Sequence, residues 1–136
     1  MGTDMAHPSL AGTTVLIVED EFYLAVEMRN EIEDFAGTVI GPFANPEDAI
    51  ASLAEGTPDC ALIDINLGEG PSFIMADALL AREVPFAFLT GYDAGSIPMR
   101  FRDVTRIEKP TTRIRIIEAL MRLRGNPLQS GDFGNR

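Results

Sequence analysis

Five short apolar runs recur along this 136-residue chain, and each is separated from the next by a stretch with helical spacing. The runs are VLIV at 15–18, TVIG at 38–41, CALIDI at 60–65, FAFLT at 86–90 and VTRIE at 104–108, all of strand length. Strands covered on both faces by crossover helices read as near-continuous apolar segments rather than alternating ones, and VLIV and FAFL have that character. The alternation therefore predicts an α/β domain: a doubly wound (βα)5 fold with a five-stranded parallel sheet in the order 2-1-3-4-5. In such sheets ligands sit outside the carboxyl ends of the strands, where the strand order reverses.

The intervening segments carry their own punctuation. Phe22, Ala25, Met28, Ile32 and Phe35 form one stripe of a helix that ends at Gly37. The next helix opens on Asn45-Pro46-Glu47-Asp48, an N-cap followed by proline in the first turn and then acids. A third is expected over Ser72 to Arg82, and a short fourth from Ser96. The last spans 112–124 with Ile114, Ile117, Leu120 and Met121 aligned. Residues 1–13 and 125–136 lack periodicity and read as flexible tails around a folded domain at 14–124.

Charge narrows the possible partners. Twenty-one acidic against eleven basic residues give a net charge of −10, which opposes binding to nucleic acid or to anionic membrane surfaces. No apolar run approaches the roughly 20 residues that a membrane-spanning helix needs. The N-terminus has no basic segment leading into an apolar one. Cys60 is the single cysteine and lies in the apolar run DCALIDI, so it reads as a core residue of a cytoplasmic protein. His7 falls in the N-terminal tail and reads as inert.

What the strands deliver at their ends carries the chemistry. The first ends in Glu19-Asp20, the third in Asp64, the fourth in Thr90 and the fifth in Lys109-Pro110. Three carboxylates converging on one crevice repel each other unless a cation joins them, and hard oxygen ligands with room for water suit Mg²⁺. Asp64 is the candidate nucleophile for an acyl phosphate. Lys109 and the Thr90 hydroxyl are candidates to neutralise phosphoryl oxygens, and Gly91 allows a close turn over them. Taken singly, a Glu-Asp pair is a solvated helix start, a Thr-Gly a turn and a Lys-Pro a loop. The joint reading rests on their order along the sheet.

With VLIVEDE, LIDINL, FLTGY and EKP in this order across residues 14–124, the chain resembles the response-regulator receiver family, whose fold is the flavodoxin-like (βα)5 sheet. The resemblance implies phosphorylation on Asp64 by a sensor histidine kinase. It also implies Mg²⁺ held by Glu19, Asp20, Asp64 and the backbone carbonyl of Asn66, with Thr90 and Lys109 as the hydroxyl and lysine of the site. It further suggests a cis peptide before Pro110. Where typical receivers carry a switching aromatic three places before the lysine, this chain has Arg106. The run PFAFLTGYD and the segment LGEGPS resemble the FAT GUY subgroup of receivers, so Thr90, Tyr92 and Arg106 are the switch candidates; for Tyr92 an exposed loop aromatic is an equal alternative. By analogy, that subgroup works with stress-related kinases of alphaproteobacteria.

The expectation is a monomeric single-domain regulator, not an enzyme beyond its own phosphorylation and dephosphorylation. It would relay or drain the signal through a downstream protein target or a phosphotransfer protein. A degenerate scaffold that takes no phosphate stays open because of Arg106. An aspartyl-phosphate phosphatase is disfavoured, since Asn66 stands where its general acid belongs. A nucleotide or flavin module lacks its glycine-rich loop, having VEDEF after the first strand.

Overall fold

The computed structural model describes residues 8–66, 73–91 and 97–125. In chain order the elements are β1 (Thr14–Val18), α1 (Phe22–Asp34), β2 (Thr38–Phe43), α2 (Pro46–Ser52), a 3₁₀ turn at Leu53–Glu55, β3 (Cys60–Asp64), α3 (Ile74–Ala81), β4 (Phe86–Thr90), a second 3₁₀ turn at Met99–Phe101, β5 (Thr105–Glu108) and α4 (Arg113–Arg124). All strand pairs are parallel and the order is β2-β1-β3-β4-β5. This is the doubly wound topology that the alternation of runs predicts, and the flavodoxin-like sheet that the resemblance implies.

Successive strand residues point to opposite faces, and this divides the core into two layers. Val15, Ile17, Cys60, Leu62, Ala87, Leu89 and Ile107 face Met28 and Ile32 of α1 and Ile117 and Leu120 of α4. Leu16, Val18, Ala61, Ile63, Phe86 and Phe88 face Ala49 of α2, Met75 and Leu79 of α3, and Phe101. Every residue of β3 and β4 is buried, as their unbroken apolar runs require. Cys60 lies in this core, where burial pushes its thiol up to about 12. Leu10 is also fully buried and its N–H donates to the Phe35 carbonyl at 2.6 Å, so packing begins ahead of β1.

The helix boundaries follow local chemistry. Ala36 adopts φ +73° after α1, while its N–H donates to the Glu33 carbonyl and that of Gly37 to the Ile32 carbonyl, the bond pattern of a Schellman cap. Gly37 serves by its size, because a Cβ there would lie 2.7 Å from the Ile32 side chain. At α2, Asn45 accepts a hydrogen bond from the Asp48 N–H at 2.9 Å, with Pro46 in the first turn. Replacing Asn45 with alanine is expected to cost about 1 kcal/mol, measured as a lower urea midpoint with an unchanged slope.

Four local expectations are corrected. Phe22 does not join the buried stripe of α1: it is 69% exposed, and only Ala25, Met28 and Ile32 are buried. Ile114 is likewise exposed, because α4 buries Ile116, Ile117, Ala119 and Leu120, a face rotated from the expected one. The second strand runs past Gly41 to Phe43. Gly41 takes φ +98° at a bulge where the register shifts, and β2 is an edge strand, where the missing N–H of Pro42 can be accommodated. The short helix expected from Ser96 is, among the described residues, only the 3₁₀ turn at Met99–Phe101. Pro98 is extended just before it, and its carbonyl accepts from the Phe101 N–H. Ser72, Tyr92, Ser96 and His7 lie outside the described residues.

Candidate functional site

The ends of β1, β3, β4 and β5 bring Glu19, Asp20, Asp64, Thr90 and Lys109 to one edge of the sheet. Glu19, Asp64 and Thr90 are buried, while Asp20 is exposed at the mouth. Lys109 Nζ donates to Asp64 Oδ2 at 2.9 Å and lies 3.1 Å from Glu19 Oε1. The Lys109 N–H donates to the Thr90 carbonyl at 2.8 Å, which ties the lysine's backbone to the end of β4. The peptide between Lys109 and Pro110 is cis.

Two backbone amides hold the carboxylates. The N–H of Asn66 donates to Asp64 Oδ1 at 2.9 Å, and that of Glu21 donates to Glu19 Oε2 at 3.0 Å. Sequence reasoning assigned Asn66 through its carbonyl and did not single out the Glu21 amide. Every non-proline residue carries an N–H, so composition offers no signal for this role.

One carboxylate oxygen each from Glu19, Asp20 and Asp64 lies within 4.8 Å of the other two. Glu19 Oε1 is buried and, apart from the Lys109 ammonium that pairs with it at 3.1 Å, has no hydrogen-bond partner among the described residues. A buried carboxylate oxygen whose one partner is a lysine, beside two further carboxylates, one of them open to solvent, is a donor set that fits a hard divalent cation.

The electrostatics agree. Burial, reinforced by the Asp64 charge, pushes the Glu19 carboxyl up to about 7, against the opposing pull of the Glu21 N–H and Lys109. Burial also works against the Lys109 ammonium, but the hydrogen bond and charge of Asp64, together with Glu19, outweigh it and hold the lysine above its ordinary value. For Glu19 the folded state therefore binds a proton more tightly than the unfolded chain. Its contribution to stability is complete below about 4.5 and is lost as the pH rises to about 7. In chelator, wild type is expected to lose up to about 3 kcal/mol across that window relative to Glu19→Gln. Parallel stability profiles for the two proteins between pH 4.5 and 7.5 would count against this account.

Arg106 is an exposed residue of β5, in register with Phe88 of β4. The structure therefore places Glu19, Asp20, Asp64 and Lys109 together, sets Thr90 at the same edge, and leaves Arg106 apart from them on the outer strand. Among the described residues no helix is long and apolar enough to cross a membrane.

A doubly wound parallel sheet with three carboxylates and a lysine at its switch point is the architecture of a phosphoryl-accepting signalling domain. The chain belongs to the response-regulator receiver family. It is similar to SdrG from Sphingomonas melonis Fr1, with 38% identity, a TM-score of 0.72, and coverage of 82% of this chain and 95% of that one. A BeF3-activated conformation of SdrG matches at 37% identity and TM-score 0.72 over 84% of this chain and 98% of that one. The N-terminal domain of a response regulator/sensory box/GGDEF 3-domain protein from Carboxydothermus hydrogenoformans matches at 32% identity and TM-score 0.67, covering 81% and 94%. The phyllosphere-induced regulator PhyR of Methylorubrum extorquens is 35% identical over 83 residues, 59% of this chain and 31% of PhyR, so the match spans less than a third of that relative. No protein-family model matches the chain.

Proposed function

We propose that this chain, as a folded domain over residues 14–124, accepts a phosphoryl group on Asp64 from the phosphohistidine of a sensor kinase and passes the signal on by protein–protein contact. The observation that carries this reading is Asp64 itself: nine-tenths buried at the end of β3, 2.9 Å from Lys109 and grouped with two more carboxylates.

In the reaction Oδ of Asp64 attacks phosphorus, the phosphorus–nitrogen bond to the kinase imidazole breaks, and the imidazole leaves with that electron pair. The Asn66 N–H orients the Asp64 carboxylate by holding Oδ1. Lys109 is placed to take up charge on a phosphoryl oxygen once Asp64 is esterified and its ion pair is given up. The Thr90 hydroxyl, at the end of the neighbouring strand, is a candidate donor to a second oxygen. Glu19, Asp20, Asp64 and the Asn66 carbonyl would hold Mg²⁺, which supplies charge neutralisation for the incoming phosphoryl group.

The beryllofluoride-activated form of the similar SdrG supports this reading, because beryllofluoride mimics an acyl phosphate. Intact-mass spectrometry after incubation with acetyl phosphate tests it. One base-labile phosphoryl adduct is expected with Mg²⁺ and none in chelator. No adduct under either condition, together with no response to beryllofluoride, would overturn it in favour of a scaffold that takes no phosphate.

A further inference from the structure

We propose that the backbone N–H of Glu21 is a positioning group for the cation site: it fixes the Glu19 carboxylate so that an oxygen of Glu19 stays grouped with those of Asp20 and Asp64. The inference rests on the Mg²⁺ role proposed above and adds to it a residue whose contribution is main chain alone.

Glu19 and Asp64 leave neighbouring parallel strands, since Val18 is in register with Ile63. Each carboxylate is fastened in the same two ways. One oxygen accepts from the amide two residues further on, Glu19 Oε2 from the Glu21 N–H at 3.0 Å and Asp64 Oδ1 from the Asn66 N–H at 2.9 Å. The other oxygen faces Lys109 Nζ, at 3.1 Å for Glu19 Oε1 and 2.9 Å for Asp64 Oδ2. The lysine ammonium rides on a flexible stem and is the partner that gives way to a cation or a phosphoryl group, whereas the amides belong to the backbone and stay in place. Once Lys109 has moved off Glu19, the Glu21 N–H is the one hydrogen-bond donor left to that side chain among the described residues.

The glutamate depends on such a restraint more than the aspartate does. Its side chain is one methylene longer, so it has an extra torsion to immobilise, and it is buried. The amide that holds it is itself anchored. Glu21 is the residue from which α1 starts, with φ −83° and ψ 114°, and its carbonyl accepts from the Ala25 N–H at 2.9 Å. Its own side chain is exposed and makes no hydrogen bond or ion pair among the described residues. The N–H lies outside the helical ladder, where an amide needs another partner, and here that partner is Glu19. Proline takes φ near −65°, close to the angle found here, and keeps the carbonyl, so it removes the N–H without removing the bond that opens the helix.

The test compares Glu21→Pro with Glu21→Gln in the full chain, because both lose the same charge and only proline loses the N–H. In titrations followed by ¹⁵N amide shifts, Mg²⁺ is expected to bind about tenfold more weakly to the proline variant than to the glutamine variant. With acetyl phosphate, the Mg²⁺ concentration that gives half the maximal rate of adduct formation is expected to rise by a similar factor, while the rates at saturating Mg²⁺ agree. A merely structural disturbance would lower the saturated rate and leave the half-saturating concentration where it was. Should the proline variant fail to fold, amide hydrogen exchange in chelator decides: the Glu21 amide is expected to exchange about tenfold faster in Glu19→Ala than in wild type, with the Ala25 amide as an unchanged reference. The proposal is overturned by equal Mg²⁺ affinities of the two Glu21 variants, by a lowered saturated rate with no shift in half-saturation, or by Glu21 exchange that ignores the loss of Glu19. Wild type that binds no Mg²⁺ would overturn the cation site as a whole, an outcome distinct from wild-type binding that proline leaves untouched.

Discussion

Asp64→Asn is expected to reduce phosphorylation by acetyl phosphate to background while leaving the fold intact. The side chain stays the same size, and the amide oxygen can still accept from the Asn66 N–H, so the end of β3 keeps its geometry. What disappears is the anionic oxygen, which is both the nucleophile and the partner of Lys109. The substitution also removes the charge that helps raise the Glu19 carboxyl, leaving Lys109 to pair with Glu19 alone. Chelator-treated Asp64→Asn is therefore expected to be at least as stable as wild type near neutral pH, the opposite of what loss of a purely structural ion pair would do. Intact mass read beside thermal unfolding separates the possibilities. An adduct that persists on the variant would move the phosphoacceptor elsewhere, and a large loss of stability would make the Asp64–Lys109 pair structural first.

The parts of this molecule that were legible in the sequence are those written in long-range pattern. A strand buried on both faces must be apolar throughout, so Val15–Val18 and Phe86–Leu89 announced themselves, and three buried strands of this kind with two more exposed edge strands, all separated by helical segments, leave few topologies open. The site was legible for a related reason: Glu19, Asp64, Thr90 and Lys109 interrupt or end otherwise apolar runs, and parallel strands place those interruptions at one edge. Helix faces were harder to read. Phe22 and Ile114 fit helical spacing, yet each sits at the first turn of its helix, where the chain has only just left the sheet, and a stripe counted from the sequence does not show where burial begins. The amides of Glu21 and Asn66 left no trace in composition.

Phe101→Ala is expected to destabilise the domain by about 3–5 kcal/mol, a large share of the total stability of a domain this size. The residue is fully buried although it belongs to a single 3₁₀ turn rather than to a strand or long helix. Its ring stacks on Phe73 at 5.6 Å and meets Phe88 edge-on at 5.6 Å and Phe86 at 6.3 Å, so one side chain ties the approach to α3, strand β4 and the connection into β5. Alanine would leave a cavity bounded by three aromatic rings and would forfeit their edge and stacking contacts, a loss that a rigid sheet cannot close by relaxing. The consequence should reach the site, because the turn at Phe101 leads into β5, and β5 carries Lys109 to Asp64. Urea unfolding is expected to show a lowered midpoint, and the rate of adduct formation on Asp64 should fall even at temperatures where the variant is fully folded. A midpoint within about 1 kcal/mol of wild type would mean that the turn carries little of the core's cohesion. An unchanged adduct rate in a destabilised but folded variant would mean that Lys109 is positioned by its backbone bond to Thr90 alone.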